Sequence, residues 1–332
     1  MQLCQIALCT SDVPRSIRLL TEGLGFAEAG TRVLWGERIA QIQELGDDTA
    51  FTIAWLVGRQ DMVQLELFHH TVPPQRRRLG ERGPADLGWT RFGVALPDFD
   101  AALERLAGLG VEPIAEPRTV DGLRRVAFVE PYVGCVVELF EEGPGTPGGI
   151  RPRFYDLVPA VVYVALSVAD LDGARRFYVD AFGLEEEPGT VLHTPEDEAV
   201  WGLDGVRRDG FVARGGDVYL EVFRYEEPDP RPLPDDRLLS DQGFMNVAVG
   251  TRDGAELGAA YERAVAGGFR PNSPAPRTAG GTYVNDGLGN TAELLVAPRE
   301  FDAGFGFAPH PTFRRQPSWP QPSVGPARAA ES

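Results

Sequence analysis

Lysine is absent from this chain: all 32 basic side chains are arginine, set against 49 aspartates and glutamates for a net charge of −17. A surface of that sign excludes the phosphate backbone of a nucleic acid as a partner, because such binding rests on an excess of cations. Cysteine is scarce as well. Cys4, Cys9 and Cys135 supply neither a disulfide framework nor a paired metal spacing, which points to reduced thiols in a cytoplasm. No apolar run approaches the roughly 20 residues that a spanning helix needs, and the first residues run straight into a strand-like segment (Gln2-Leu3-Cys4-Gln5-Ile6-Ala7-Leu8), so neither a membrane anchor nor a secretory leader is expected. Phosphate-loop glycine spacing and a nucleophile-elbow motif are missing too.

What the chain does contain is a fourfold repetition. A polar residue opens a short apolar run that reaches Asp seven positions later, at Gln5–Asp12, Arg91–Asp98, Tyr163–Asp170 and Asn246–Asp253. Each Asp is placed to cap a following stretch of helical period, and each stretch stops at a glycine, Gly25, Gly110, Gly183 or Gly268. Every copy closes on a strand with one glutamate among apolar neighbours: Glu66, Glu138, Glu221 and Glu293. The distances from opening residue to closing glutamate are 61, 47, 58 and 47, a long-short-long-short order that implies a two-repeat ancestor duplicated once more.

Period-two alternation then assigns faces. Ile6 and Leu8, Phe92 and Val94, Val164 and Leu166, Val247 and Val249 point toward the helices; Gln5, Arg91, Tyr163 and Asn246 point the other way, each beside an alanine or glycine. With the four glutamates this makes eight polar positions that can line concave sheet surfaces. The expected fold is α+β: four βαβββ repeats forming two curved mixed-sheet modules. Residues 1–145 form the first module (repeats 2–72 and 88–142), 146–157 a linker and 158–300 the second module (repeats 160–226 and 243–298), with 301–332 a Pro-rich tail draped on the surface or disordered. Four repeats in one chain complete two modules unaided, so the expected state is a monomer or a homodimer.

The order of opening strand, Asp-capped helix and glycine stop, the segments Val129-Glu130-Pro131-Tyr132-Val133-Gly134-Cys135-Val136-Val137-Glu138-Leu139 and Val284-Asn285-Asp286-Gly287-Leu288-Gly289-Asn290-Thr291-Ala292-Glu293-Leu294, and the helix Arg175-Arg176-Phe177-Tyr178 before Gly183-Leu184 together resemble the vicinal oxygen chelate superfamily (glyoxalases, bleomycin-resistance proteins and extradiol dioxygenases) over residues 2–298. The resemblance implies a divalent metal held by His or Gln on an opening strand and Glu on a closing one, polarising adjacent substrate oxygens. Carried over by position, the ligand sites are Gln5, Glu66, Arg91 and Glu138 in the first half and Tyr163, Glu221, Asn246 and Glu293 in the second; none is histidine. Arg91 cannot ligate a cation and would serve instead as an ion-pair partner of Glu66 or Glu138. Pairing between repeats stays open at this level. Metal ligands would be Glu221, Glu293 and Asn246, or a set that brings in Gln5 and Glu66 if repeat one pairs with repeat four. Oxygen donors favour Mg²⁺, Mn²⁺ or Ca²⁺, or no cofactor at all, over Fe²⁺ or Zn²⁺.

Two functions follow. One is a lyase, isomerase or dioxygenase acting on a small oxygenated, aromatic or polyketide-like substrate. There Glu221 and Glu293 share one cavity as acid and base, Tyr163 donates a proton or holds an oxyanion, and Asn246 orients a carbonyl. Tyr219, Phe223, Gln5, Glu66, Arg91, Glu138 and His70 are then candidates for contacting the substrate, and Trp35, Trp55, Trp201 and Phe223 fall on middle strands as possible walls. The other is non-catalytic sequestration of a small molecule, for which the negative charge suits a cationic ligand. His70 beside His69 is the one imidazole near a site; His193 and His310 read as surface residues.

Overall fold

In a computed structural model of the chain, the structure describes residues 1–311, with 79–81, 145, 148, 149, 151, 155 and 189–191 excepted. The remainder of the expected Pro-rich tail lies outside the described residues.

The four repeats are present as drawn. The first runs β1 (Gln2–Cys9), α1 (Val13–Arg18, continued by a wider turn over Leu19–Gly23), β2 (Ala27–Trp35), α2 (Glu37–Gln43), β3 (Ala50–Val57) and β4 (Gln64–Val72). The second holds β5 (Gly88–Leu96), α3 (Phe99–Gly108), β6 (Arg118–Val120), β7 (Leu123–Val129) and β8 (Val136–Glu141). The third has β9 (Ala160–Ser167), α4 (Leu171–Arg175), β10 (Glu185–Glu187), β11 (Arg207–Gly215) and β12 (Val218–Glu227). The fourth has β13 (Gly243–Thr251), α5 (Gly254–Ala266), β14 (Arg270–Pro271), β15 (Gly280–Asn285) and β16 (Thr291–Val296), followed by α6 (Asp302–Phe305). Asp12 and Asp253 cap their helices through the side chain, whereas Asp98 stands at the cap position but accepts from Arg105 at 2.8 Å. All four stop glycines are left-handed, with φ of 85°, 77°, 76° and 84° at Gly25, Gly110, Gly183 and Gly268, a conformation that costs glycine little.

The sheets do not follow the halves of the chain. One eight-stranded sheet has the order β14-β15-β16-β13-β1-β4-β3-β2 and joins repeats one and four; the other, β10-β11-β12-β9-β5-β8-β7-β6, joins repeats two and three. Opening strands meet antiparallel at each centre, β1 with β13 (Ala7 opposite Asn246) and β5 with β9 (Gly93 opposite Tyr163). The expected pairing within residues 1–145 and within 158–300 is corrected on this point. Every opening strand offers the same kind of free edge, so local pattern cannot choose among partners.

Both sheets turn their helix-covered backs to a shared core. Ile6, Leu8, Phe92, Val94, Val164, Leu166, Val247 and Val249 lie in one cluster with Leu20, Leu106, Phe177 and Leu257 from the helices. The concave faces point away from that core, each with its own side-chain cluster. Beyond β16 the chain does not drape loosely. Asp302 is buried and held by Arg153 and Arg252, and Phe307 is buried beside Met62 and Leu295.

Candidate functional site

The two concave faces receive the eight polar positions four and four. On the face of repeats one and four, Gln5, Glu66, Asn246 and Glu293 come from four adjacent central strands. Parallel pairing sets Ala7 opposite Glu66 and Ala248 opposite Glu293, so small residues flank each carboxylate and leave room above it. An aromatic on the next strand stands across from each glutamate, Trp55 from Glu66 and Tyr283 from Glu293. The result is the floor of a cavity of about 510 Å³ whose walls include Ile53, Phe51, Phe68, Phe301 and Phe305. Such a shape, apolar-walled with a few convergent polar groups, is that of a small-molecule site.

One oxygen of Glu66 is heavily engaged: the indole N–H of Trp55 donates to it at 2.7 Å and the Gln5 amide at 3.0 Å. Glu66 is nevertheless pushed up to about 7, because burial outweighs the help of the Trp55 N–H. Glu293 is raised well above the carboxylate range, by burial first and then by the charge of Glu66. Tyr283 is raised likewise, by burial and then by Glu293 and Glu66. Gly281 keeps the space for Glu293, since a Cβ there would lie 1.7 Å from its carboxylate oxygen.

Whether this floor fits a cation is answered by its unpaired atoms. Among the described residues, the Gln5 side-chain oxygen and the Asn246 side-chain nitrogen are buried with no hydrogen-bond partner. A half-turn of the Asn246 amide exchanges its oxygen for that nitrogen. Two mutually repelling carboxylates, an orphaned amide oxygen and a second amide make an all-oxygen donor set suited to a hard divalent ion. Histidine and thiolate contribute nothing: among the described residues no three His, Cys, Asp or Glu side chains converge as a metal cluster.

The face of repeats two and three is built from the same positions and is filled. His193, expected at the surface, is fully buried between the two glutamates, its Nδ1 2.8 Å from Glu221 and its Nε2 3.0 Å from Glu138. Burial alone would discharge the imidazole, but the two carboxylates overcome it and raise His193 to about 9, so it is an imidazolium at neutral pH. Glu138, which burial would raise, is lowered instead by His193 and Arg125. Glu138 also accepts from the Tyr163 hydroxyl at 2.6 Å and the Trp201 indole at 2.8 Å. The ring of Tyr163 lies over Gly93, where a Cβ would come within 2.2 Å of it, and burial keeps its phenol protonated.

Arg91 pairs with neither Glu66 nor Glu138. Its guanidinium donates to the Pro84 carbonyl at 2.6 Å and the Tyr225 hydroxyl at 2.8 Å, and stacks 3.8 Å from the Trp201 ring. Tyr225 passes the hydrogen bond on to Glu198, which is paired with Arg208. Arg91 and the imidazolium of His193 already supply cations here, so this set does not fit a metal.

Several sequence expectations are corrected by these placements. Glu221 and Glu293 do not share a cavity, and neither do Tyr163 and Asn246; each pair is divided between the two sheets. Phe223 lies beneath the Arg91 and Arg208 guanidiniums, and Tyr219 is buried with Arg214 above its ring, so neither lines the open cavity. His70 is on the strand of Glu66 but beyond Phe68, bonded to Gln43 at 2.9 Å and lowered to about 4 by burial and then His69. Trp201 belongs to a short 3₁₀ helix, and Trp35 is 71% exposed. Tyr283 and α6 were missed. Tyr283 precedes Glu293 by 10 residues much as Trp55 precedes Glu66 by 11, a regularity that repeat alignment could have exposed.

Comparison with known proteins agrees with this architecture. The family model for the glyoxalase/bleomycin resistance protein/dioxygenase superfamily matches residues 2–148 and 160–294, and the chain belongs to that superfamily. It is similar to a protein named "Probable lactoylglutathione lyase, chloroplastic" from Arabidopsis thaliana, 36% identical over 99 residues, which are 30% of this chain and 25% of that one. This chain therefore spans only about a quarter of that relative's length. It is also similar to a 2-epi-5-epi-valiolone epimerase from Actinomyces sp, 29% identical over 153 residues, 43% of this chain and 80% of the relative. Among solved structures, glyoxalase I from Zea mays superimposes with a TM-score of 0.57 at 18% identity, covering 89% of this chain and 92% of that one, a likeness of fold. No helix among the described residues is long and apolar enough to cross a membrane.

Proposed function

We propose that the cavity over repeats one and four is the active site of a lyase- or isomerase-type enzyme. It would shift a proton at a carbon next to an oxygen of a small, ring-containing substrate. The observation that carries this is the convergence of Gln5, Glu66 and Glu293 on the floor of an aromatic-walled cavity of about 510 Å³, with Asn246 on the strand between those of Glu293 and Gln5 and, among the described residues, the Gln5 side-chain oxygen buried and unpartnered. Those four residues would hold Mg²⁺, Mn²⁺ or Ca²⁺, and the cation would polarise adjacent substrate oxygens and make the neighbouring C–H more acidic.

The chain's own groups have distinct parts. Trp55 and Gln5 tether one oxygen of Glu66, so that carboxylate is positioned and has little freedom to move. Glu293 makes no hydrogen bond among the described residues and extends over Gly281; burial and Glu66 favour its protonated form, and the charge of a bound cation would favour the carboxylate, which would then accept a proton from substrate carbon and return one. Tyr283, across the strand pair from Glu293 and protonated throughout the neutral range, is placed to donate to a developing oxyanion. Aromatic walls exclude water and seat a ring. Lyase and epimerase names among the relatives agree with this reaction class.

The test is metal content by elemental mass spectrometry after dialysis against Mg²⁺, Mn²⁺ and Ca²⁺, on the wild type and on Glu293→Gln. One equivalent of divalent ion bound, with affinity falling at least about 100-fold in the variant, is expected; outer-shell changes alone cost up to that much. Absence of bound ion from the wild type under every condition sinks the cation reading. Ligand retention without any exchange of substrate hydrogen for solvent deuterium would favour sequestration over catalysis.

A further inference from the structure

The cavity over repeats one and four has cations at its mouth as well as carboxylates at its floor. Arg32 of β2 and Arg38 of α2 both line it, and among the described residues neither forms a hydrogen bond or an ion pair. Most arginines of this chain are engaged, and Arg76, Arg124, Arg153 and Arg252 each meet two carboxylates; Arg77, Arg118, Arg176 and Arg277 share the lack of a hydrogen bond or ion pair among the described residues, but they do not line this cavity as Arg32 and Arg38 do. On the other concave face the arginines that turn inward are all hydrogen-bonded or paired through their guanidinium: Arg91 to Pro84 and Tyr225, Arg125 to Leu192 and Arg208 to Glu198.

Geometry links the two ends of the open cavity. Trp55 donates its indole N–H to Glu66 at the floor, and the Arg32 guanidinium stands 5.6 Å from the centre of the same ring. Arg38 faces it from the far wall, its guanidinium 3.6 Å from where a Cβ on Gly280 would sit, over the bare backbone of β15. The Trp55 indole thus links an acidic floor to a basic rim, and Leu34, Ile39, Ile42 and Ile53 are among the apolar walls of the same cavity. A ligand spanning this space meets carboxylates or their cation at one end, apolar walls in the middle and two free guanidiniums at the other.

We infer that the substrate carries an anionic group, a carboxylate or a phosphate, opposite its reacting oxygens, and that Arg32 and Arg38 receive it. The inference rests on the active-site reading above and inverts the cationic ligand that the net charge of −17 suggests. Overall charge governs approach from a distance, whereas recognition is set by the groups within hydrogen-bond reach, and a guanidinium fork matches a carboxylate or phosphate edge in two bonds.

Three probes share a ring and two vicinal oxygens and differ in the side arm, whose charge is negative in 3,4-dihydroxyphenylacetate, zero in 4-methylcatechol and positive in dopamine. Their affinities would be measured by calorimetry with Mg²⁺ present, for the wild type, Arg32→Gln, Arg38→Gln and the double variant. Both arginines are exposed, so folding is not at risk. The anionic probe is expected to bind at least about tenfold more tightly than the neutral one, an advantage that shrinks with added salt and vanishes in the double variant. Equal affinity for anionic and neutral probes, tighter binding of dopamine, or an anion preference that survives in the double variant overturns the assignment to Arg32 and Arg38. In each of those outcomes, binding of 4-methylcatechol that is lost in Glu293→Gln leaves the active-site reading standing. Failure of all three probes to bind the wild type overturns both.

Discussion

The two concave faces of this protein are one design carried to opposite ends. Both place four polar side chains on the central strands of an eight-stranded sheet, two of them glutamates, yet one face is an open cavity and the other is shut. The difference lies in what accompanies the carboxylates. Gln5 and Asn246 are neutral, so Glu66 and Glu293 lie in a poorly hydrated floor without a counter-charge and both rise in pKa, Glu66 through burial and Glu293 through burial and then the charge of Glu66. Arg91 and Tyr163 occupy the matching positions on the other face, and an irregular segment inserts His193 as a cation between Glu138 and Glu221. A charge deficit that one face leaves open, the other fills from within the chain. Buried charges persist only when paired, and the pairing partner decides whether a fold position becomes a site or a piece of core.

Removing the internal cation should break the closed face hardest. His193→Ala leaves two buried carboxylates without a counter-charge and is expected to cost about 3–5 kcal/mol in urea denaturation, while metal content of the open face stays unchanged. A loss below about 1 kcal/mol would mean that Glu138 and Glu221 are satisfied without it. Next in size is a pH effect. His193 is raised from its ordinary 6.5 to about 9, so its contribution is complete below the unfolded value and fades as pH climbs through the folded one. His193 alone should take about 3 kcal/mol from stability between mildly acidic conditions and above pH 9, and the slope should become shallower by about that much in His193→Ala, the raised carboxyls of Glu66 and Glu293 keeping a fall of the same sign. Glu138, lowered in the fold, acts in the opposite direction and costs stability only under acid. The smallest change sharpens the open face: Trp55→Phe removes the indole N–H from Glu66 and is expected to weaken cation binding about tenfold, with little change in unfolding. No change in affinity would deny Trp55 its positioning part.

Much of the fold could be read before any coordinates. Alternation in each opening strand, the Asp at each helix start and the left-handed glycine at each helix end depend on neighbours within a few residues, and Ile6, Phe92, Val164 and Val247 face the helices as the period requires. The eight polar positions were legible for the same reason. Their grouping was not, because which opening strand pairs with which is a contact between residues such as Ala7 and Asn246, far apart in sequence. His193 was unreadable for a related cause: it sits in a segment without periodicity, and nothing near it in sequence announces that it enters a sheet face. Tyr283 had a faint signal in its spacing to Glu293, and α6 none.

By itself, then, the sequence determined four βαβββ units, the residues turned toward each concave face, and the absence of histidine from the ligand positions, since all three follow from local periodicity and composition. Tertiary structure alone decided that Glu293 meets Glu66 and not Glu221, that one face holds a cavity, and that His193 closes the other. Those outcomes depend on long-range strand pairing and on the need of each buried charge for a partner, and neither is encoded within any single stretch of chain.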